Sequence, residues 1–186
     1  MNKFKKWAEH EYSKKQRIIA VFFGGFIFWM VIPFLIIVAS SYIDQWLRLP
    51  RFYSGRISPV IGLIFIASGW LFANWTIKVQ FSLGRGTPIP LMATQKLVVK
   101  EPYTYCRNPM TLGTALFYLG IAIWLGSFSA MGLGLIYPVW ISIYIKLIEE
   151  NELEERFGSE YLDYRRRTPF LIPRLWEKNE KGNRQK

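Results

Sequence analysis

Three long stretches without a charged residue constrain the fold more than any other feature. They cover Ile18–Ile43, Ile57–Ile77 and Thr111–Ile145, with 26, 21 and 35 residues. A helix that spans a bilayer needs about 20 apolar residues. The third stretch, as a single helix rising about 1.5 Å per residue, would be much longer than a hydrocarbon core of about 30 Å. Gly126-Ser127-Phe128-Ser129, near its middle, therefore predicts a tight turn between two shorter helices.

The sequence predicts an all-α, polytopic integral membrane protein with four transmembrane helices. We expect these helices over residues of about 18–43, 57–77, 111–127 and 130–148. We also expect the whole chain, 1–186, to form a single domain.

A helical segment is predicted to follow the last span. Helical periodicity places Leu147, Leu153 and Phe157 near one face, so the fourth helix is expected to continue beyond the bilayer. Gly158 is a candidate helix C-cap. A second short helix, stopped by Pro169, is expected after it.

The positive charge predicts orientation rather than a nucleic-acid partner. The formal net charge is +11, and with four spans 21 of the 24 Lys and Arg residues fall on one side of the membrane. The other side keeps only Arg48, Arg51 and Arg56. This asymmetry predicts that both termini are cytoplasmic. A nucleic-acid role would need a soluble basic face with base-stacking aromatic residues, which the pattern does not offer.

Several classes of protein are disfavoured by what the sequence lacks. The three apolar stretches contain no charged residue, which argues against ion transport. His10 is the only histidine, so neither a metal cluster nor a Ser/His/Asp set is predicted. Cys106 is the only cysteine, which excludes an internal disulfide and favours a space-filling role over a nucleophilic one. The first apolar stretch exceeds the 7–15 residues of a signal peptide core.

The polar residues that remain are concentrated at the predicted cytoplasmic ends of the last two spans. Arg107 and Asn108 precede the third helix, whereas Glu149 and Glu150 follow the fourth, so a hairpin brings the two groups to the same side. Arg107 carries a fork suited to a carboxylate or phosphate. The first helical turn, with Pro109 inside it, presents free N–H groups that favour anions. The glutamates favour a cation, so we expect a zwitterionic ligand, of which S-adenosylmethionine is one, in a pocket between them.

Two quoted segments carry a family resemblance. "KLVVKEPYTYCRNPMTLG" at 96–113 and "EENELEERFGSEYLDYRRRTPFLIP" at 149–173, at this spacing, resemble the integral membrane isoprenylcysteine carboxyl methyltransferases and phospholipid N-methyltransferase-like proteins. The "GRGTPIP" loop at 84–90 is similar to that of bacterial members. The matching positions are Leu97, Val98, Pro102, Tyr103, Arg107, Asn108, Pro109, Gly113, Glu149, Glu150, Leu153, Phe157, Gly158, Tyr161, Tyr164, Pro169 and Pro173.

The resemblance implies methyl transfer from S-adenosylmethionine to a lipophilic or amphipathic acceptor at the cytoplasmic face of a bacterial or archaeal cell membrane. It places the site in segments 82–110 and 149–174, needs no metal, and leaves open whether the accepting atom is oxygen, nitrogen or sulfur. Glu149, as base or orienting anion, and Arg107 would act in catalysis. The implied cofactor-binding residues are Leu97, Val98, Tyr103, Arg107, Asn108, Pro109, Gly113, Glu150, Tyr161 and Tyr164.

Three positions depart from the family pattern, and two other functions stay open beside it. Glu101 replaces the usual Gly, Asn108 the commoner His, and Thr111 the usual Tyr, which removes an aromatic contact expected on the cofactor side. One alternative is an NADPH-dependent membrane reductase of the sterol-reductase type, with residues 165–167 holding the 2′-phosphate. The other is a non-catalytic membrane protein on the same scaffold.

Overall fold

The computed structural model describes residues 12–52, 55, 57–84 and 95–173, and these residues contain helices and no strand. Three short π-helical turns interrupt or extend the α-helices. In chain order the elements are α1 (Lys14–Phe26), a π-turn (Ile27–Val31), α2 (Ile32–Leu47), α3 (Ile57–Val79), a π-turn (Gln80–Gly84), α4 (Pro109–Leu125), α5 (Phe128–Tyr144), a π-turn (Ile145–Glu149), α6 (Glu150–Phe157) and α7 (Ser159–Arg167).

Three continuous helices are long and apolar enough to cross a membrane. They are Lys14–Leu47, Ile57–Gly84 and Phe128–Phe157, and α4 adds a shorter apolar helix of 17 residues. Large apolar side chains cover their outer surfaces: Phe34 is 62% exposed and Leu71 61%. Such a surface is unfavourable in water and favourable in lipid. The predicted all-α class with about four spans is therefore confirmed.

The turn predicted inside the third apolar stretch joins α4 to α5. Gly126 ends α4 with φ of 63°, a left-handed conformation that glycine adopts without a Cβ clash. Ser127 then caps α5, since its hydroxyl accepts a hydrogen bond from the Ala130 N–H at 2.9 Å. The two helices consequently run antiparallel, so the residues after α5 return to the end of the bundle at which α4 begins.

Glycines set the closest helix contact, which is between α3 and α4. A Cβ placed on Gly69 would lie 2.5 Å from the Phe117 nitrogen, and one on Gly113 would lie 2.8 Å from the Ala73 nitrogen. Small residues let helix backbones approach in this way within membranes, where packing replaces the hydrophobic effect. The contact fixes the end of α3 beside the beginning of α4.

The C-terminal strap, residues 168–173, binds the beginning of α4. The Arg107 N–H donates to the Pro169 carbonyl at 2.9 Å, and the Asn108 N–H donates to the Phe170 carbonyl at 3.1 Å. The Asn108 side-chain amide donates to the same Phe170 carbonyl at 3.0 Å. The strap thus holds α6 and α7 against the end of the bundle at which α4 begins, which is called the pocket end below.

Candidate active site: two adjoining cavities

Two cavities adjoin at the pocket end. The large cavity has a volume of about 490 Å³ and lies among α1, α5 and the ends of α3 and α4. The small cavity, of about 60 Å³, lies between the loop before α4 and helices α6 and α7. Six residues line both cavities, and we call them the shared wall: Gln80, Tyr103, Arg107, Asn108, Ile145 and Glu149.

All three π-turns contribute side chains to these cavities. Phe28 and Trp29 come from the first turn, Gln80 from the second, and Ile145 and Glu149 from the third. A π-turn inserts an extra residue into a helix, so the side chains after it point in a new direction, and such turns are frequent at functional sites. The helices therefore depart from regular geometry where they meet the cavities.

An ion pair joins the two halves of the small cavity. Arg107 Nη1 lies 2.5 Å from Glu150 Oε1 and donates to the Tyr161 hydroxyl at 3.4 Å. Each of the two charged side chains is 12% exposed. Within the described residues, the buried Arg107 Nε has no hydrogen-bond partner, and the Glu150 Oε1 has only its contact with Arg107. Buried polar atoms without partners are uncommon, so the pair retains unused capacity for a polar ligand.

Two tyrosines connect the elements around the small cavity. The Tyr103 hydroxyl donates to Gln80 Oε1 at 2.5 Å, which ties the loop before α4 to the end of α3. The Tyr164 hydroxyl donates to the Tyr103 carbonyl at 2.8 Å, which ties α7 to the same loop. Burial raises the pKa of Tyr103 well above its ordinary value, so its phenol stays a neutral donor.

Glu149 differs from its neighbour Glu150 in having no partner among the residues that the structure describes. It belongs to the shared wall, and its carboxylate makes neither an ion pair nor a hydrogen bond with any residue that the structure describes. A carboxylate in such a position can bind a cation or accept a proton. The two adjacent glutamates thus have different chemical capacities.

The rest of the large cavity is mainly apolar. Aromatic residues of α5 form one side, and Val21, Gly24 and Gly25 of α1 form another. The α5 residues are Tyr137, Trp140 and Tyr144. Apolar cavities with a few convergent polar groups are the usual form of small-molecule sites. This cavity suits an apolar or amphipathic ligand whose polar end reaches the shared wall.

Most residues predicted for the site come together. The small cavity is lined by Leu97, Val98, Tyr103, Arg107, Asn108, Glu149, Glu150, Tyr161 and Tyr164. Pro109 lines only the large cavity. Gly113 lines neither, because it packs against Ala73 in the α3–α4 contact. Its presence is explained by helix packing and not by contact with a ligand.

The structure adds detail to three expectations. The Asn108 N–H, just before the first turn whose N–H groups were expected to favour anions, bonds the Phe170 carbonyl of the strap. Arg107 and Glu150, expected on opposite sides of a pocket, are in direct contact. Thr111, expected on the cofactor side, lines the large cavity only. The replacement of the usual Tyr by Thr111 therefore changes the wall of that cavity.

The residues of the rival functions lie elsewhere. Arg165 pairs with Glu154 at 2.9 Å, and residues 165–167 line neither cavity.

Cys106 is fully buried, and burial raises the pKa of its thiol to about 11, which opposes a nucleophilic role. In the described part of the chain, no group of His, Cys, Asp and Glu could hold a metal ion. Residues 85–90 of the "GRGTPIP" segment, residues 91–94 and residue 174 lie outside the described residues.

Gln80 and Ile145 are the shared-wall residues that sequence reasoning missed. Of the two, Gln80 is the polar one. It follows the second apolar stretch by three residues and belongs to no recognisable motif. Its place depends on the π-turn at the end of α3 and on the bond from Tyr103, 23 residues away. The available signal was a polar side chain at the predicted cytoplasmic end of a span.

Comparison with known proteins agrees with this arrangement. A family model described as phospholipid methyltransferase matches residues 57–160, which is more than half of the chain. This chain belongs to the phospholipid methyltransferase family. The matched region contains all six shared-wall residues and Glu150, so the wall between the two cavities lies within the part of the chain that defines membership. Together with the apolar helices, membership makes the chain an integral membrane protein.

Two named relatives are similar over part of their length. Methanethiol S-methyltransferase 2 of Bradyrhizobium diazoefficiens is 32% identical over 117 residues, which is 61% of this chain and 41% of the relative. Nickel-cobalt-cadmium resistance protein NccN of Alcaligenes xylosoxydans xylosoxydans is 33% identical over 85 residues, 43% of this chain and 37% of the relative. The chain therefore spans about two fifths of the length of these relatives.

Proposed function

We propose that the protein transfers a methyl group from S-adenosylmethionine to a lipophilic or amphipathic acceptor at the cytoplasmic face of the membrane. The observation that carries the proposal is the shared wall, which joins a small polar cavity containing an ion pair to a large apolar cavity. A charged methyl donor suits the first cavity and a membrane-resident acceptor suits the second. The two reactants would meet at the residues common to both.

The small cavity fits the zwitterionic part of the donor. Arg107 would bind its carboxylate and Glu150 its ammonium group, and the Arg107 Nε, which has no partner among the described residues, would gain one. The present volume of about 60 Å³ holds only a few water molecules. Binding would therefore require Arg107 and Glu150 to separate. Because each charge would exchange one opposite charge for another, the exchange would leave neither ion buried alone.

Residues of the shared wall would supply the rest of the chemistry. When bound, S-adenosylmethionine would supply a methyl group on its sulfonium sulfur, which passes in line to the acceptor while the thioether S-adenosylhomocysteine leaves. Glu149, which has no partner among the described residues, would take the proton from the acceptor as the acceptor attacks. Tyr103, held by its bond to Gln80, would help to fix the donor side of the wall. Positioning and exclusion of water would provide much of the rate.

The acceptor is proposed as lipophilic because the large cavity is mainly apolar and bounded by helices whose outer faces are also apolar. Such a ligand would arrive from the bilayer. One relative is named for methyl transfer to methanethiol. For this chain the accepting atom is one of oxygen, nitrogen or sulfur, and the unpartnered Glu149 suits any acceptor that loses a proton.

Transfer of a labelled methyl group tests the proposal. Purified protein, S-adenosylmethionine with a tritiated methyl group and an extract of bacterial membrane lipids should give organic-soluble radioactivity. Glu149→Gln should abolish most of it, whereas Glu155→Gln, an exposed position of α6 that lines neither cavity, should retain it. Equal transfer by wild type and Glu149→Gln would remove Glu149 from the mechanism. Absence of transfer from folded wild type that binds the donor would favour a non-catalytic protein on this scaffold.

A further inference from the structure

The Thr111 hydroxyl stands out among the buried hydroxyls of the spans. The Thr114 hydroxyl donates to the Met110 carbonyl at 3.0 Å, and the Thr76 hydroxyl donates to the Phe72 carbonyl at 2.9 Å. Such bonds to the carbonyl four residues earlier satisfy a hydroxyl inside a helix. Thr111 is only 4% exposed, yet its hydroxyl makes no hydrogen bond to any described residue. It lines the large cavity.

The Thr111 hydroxyl is open to the cavity, so a ligand that fills the cavity either bonds to it or leaves it buried without a partner. Buried polar groups normally have a partner, which favours a ligand that bonds to this hydroxyl. Thr111 is in the first turn of α4, three residues after Asn108 of the shared wall. A ligand atom bonded to Thr111 would therefore be near the point at which the two cavities meet.

Two further hydroxyls of the large cavity, on half-buried tyrosines, also lack a partner among the described residues. Tyr137 and Tyr144 line it from α5, one on each side of Trp140 in the sequence, and their hydroxyls make no hydrogen bond to residues within the described ranges. Among the described residues that line the cavity, the one cation is Arg107, which already has Glu150 as its partner. The polar groups that line the cavity beside this pair are thus neutral hydroxyls, the amides of Gln80 and Asn108, and the carboxylate of Glu149.

We propose that Thr111 is a specificity-determining residue, and that its hydroxyl selects acceptors with an oxygen-bearing, hydrogen-bonding group next to the methylated atom over acceptors that are hydrocarbon up to that atom. This proposal rests on the proposed function, since it assigns the large cavity to the acceptor. The selection arises because a ligand without such a group leaves the buried hydroxyl unpaired. A site built to bond a polar group discriminates against analogues that lack it.

Binding of two probes in the absence of S-adenosylmethionine tests the proposal separately from methyl transfer. The probes are tritiated 1-monododecanoyl glycerol, which carries ester and glycerol oxygens, and tritiated tetradecane, which carries none. Detergent-purified protein is captured on scintillation beads, and the signal displaced by excess unlabelled probe is measured. The variants are Thr111→Val, Thr111→Ala and Thr111→Ser, and the matched control is Thr114→Val, which alters a buried threonine of the same helix that lines neither cavity.

Thr111→Val and Thr111→Ala should weaken binding of the glycerol ester about five- to tenfold, the effect of one hydrogen bond. Thr111→Ser and Thr114→Val should retain wild-type affinity, and tetradecane should bind wild type and Thr111→Val alike. Failure of wild type to bind the ester, unchanged affinity in both hydroxyl-free variants, or an equal loss in Thr114→Val would each overturn the proposal. Loss of methyl transfer with the probe results as expected would instead contradict the proposed function.

Discussion

Arg107 and Glu150 are 43 positions apart in the sequence, yet Arg107 Nη1 lies 2.5 Å from Glu150 Oε1. The α4–α5 hairpin accounts for this contact, because it returns the chain to the end at which it entered the bundle. The C-terminal strap adds a second tie, through the Arg107 N–H and the Pro169 carbonyl at 2.9 Å. This contact closes the small cavity, and the proposed donor site requires Arg107 and Glu150 to separate.

Glu149→Gln should separate chemistry from donor binding. The amide keeps the shape of the side chain and removes its capacity to accept a proton, so the rate of methyl transfer should fall by about 10²–10⁴-fold. Affinity for S-adenosylhomocysteine should change less than about threefold, because Glu149 carries no part of the Arg107–Glu150 pair. Single-turnover kinetics together with calorimetry distinguish the two quantities. A large loss of affinity would place Glu149 in the donor site instead.

Gly69→Ala should destabilise the fold, whereas Gly132→Ala should not. A Cβ at Gly69 would lie 2.5 Å from the Phe117 nitrogen, so the α3–α4 backbones must separate. Overpacking of this kind costs about 1–3 kcal/mol. A Cβ at Gly132, in α5, meets no atom within 4 Å and should add up to about 1 kcal/mol of helix propensity. Thermal unfolding in detergent, followed by circular dichroism, measures both effects, and equal midpoints for the two variants would refute the packing account.

Cys106 should resist alkylation in the folded protein. It is fully buried, and burial raises the pKa of its thiol to about 11, so the reactive thiolate is scarce below that pH. An exposed cysteine, with a pKa of about 8.5, is mostly ionised at pH of about 9.5 and reacts readily. Mass spectrometry after iodoacetamide treatment at that pH should show little modification until the protein is unfolded. Rapid modification of folded protein would show that the thiol is accessible.

Much of the scaffold could be predicted from the sequence, because long uncharged stretches and a Gly-Ser turn act locally. The turn at Gly126 and the helices on each side of it follow from these features alone. The clustering of Arg107 with the glutamates also follows, since a hairpin of known span brings its two ends together. The predicted and observed arrangements agree because few helix topologies are compatible with both the long uncharged stretches and the turn between the last two of the predicted spans.

Other parts of the site depend on contacts that no local pattern encodes. The π-turns at residues 27–31, 80–84 and 145–149 decide which side chains enter the cavities, and apolar sequence does not reveal them. Gln80 reaches the shared wall through one such turn and a bond from Tyr103. Gly113 was expected near the cofactor and instead packs against α3, because the same residue type serves close helix packing and close ligand approach.

Calorimetric titration with S-adenosylhomocysteine tests the donor site most directly. Detergent-purified wild type should bind it, whereas Arg107→Ala and Glu150→Gln should each weaken binding at least about tenfold, since each removes one charged partner. The matched control is Glu154→Gln, which breaks the ion pair of that residue with Arg165 outside both cavities and should bind as wild type does. Folded wild type that does not bind, or unchanged affinity in both site variants, would contradict the account.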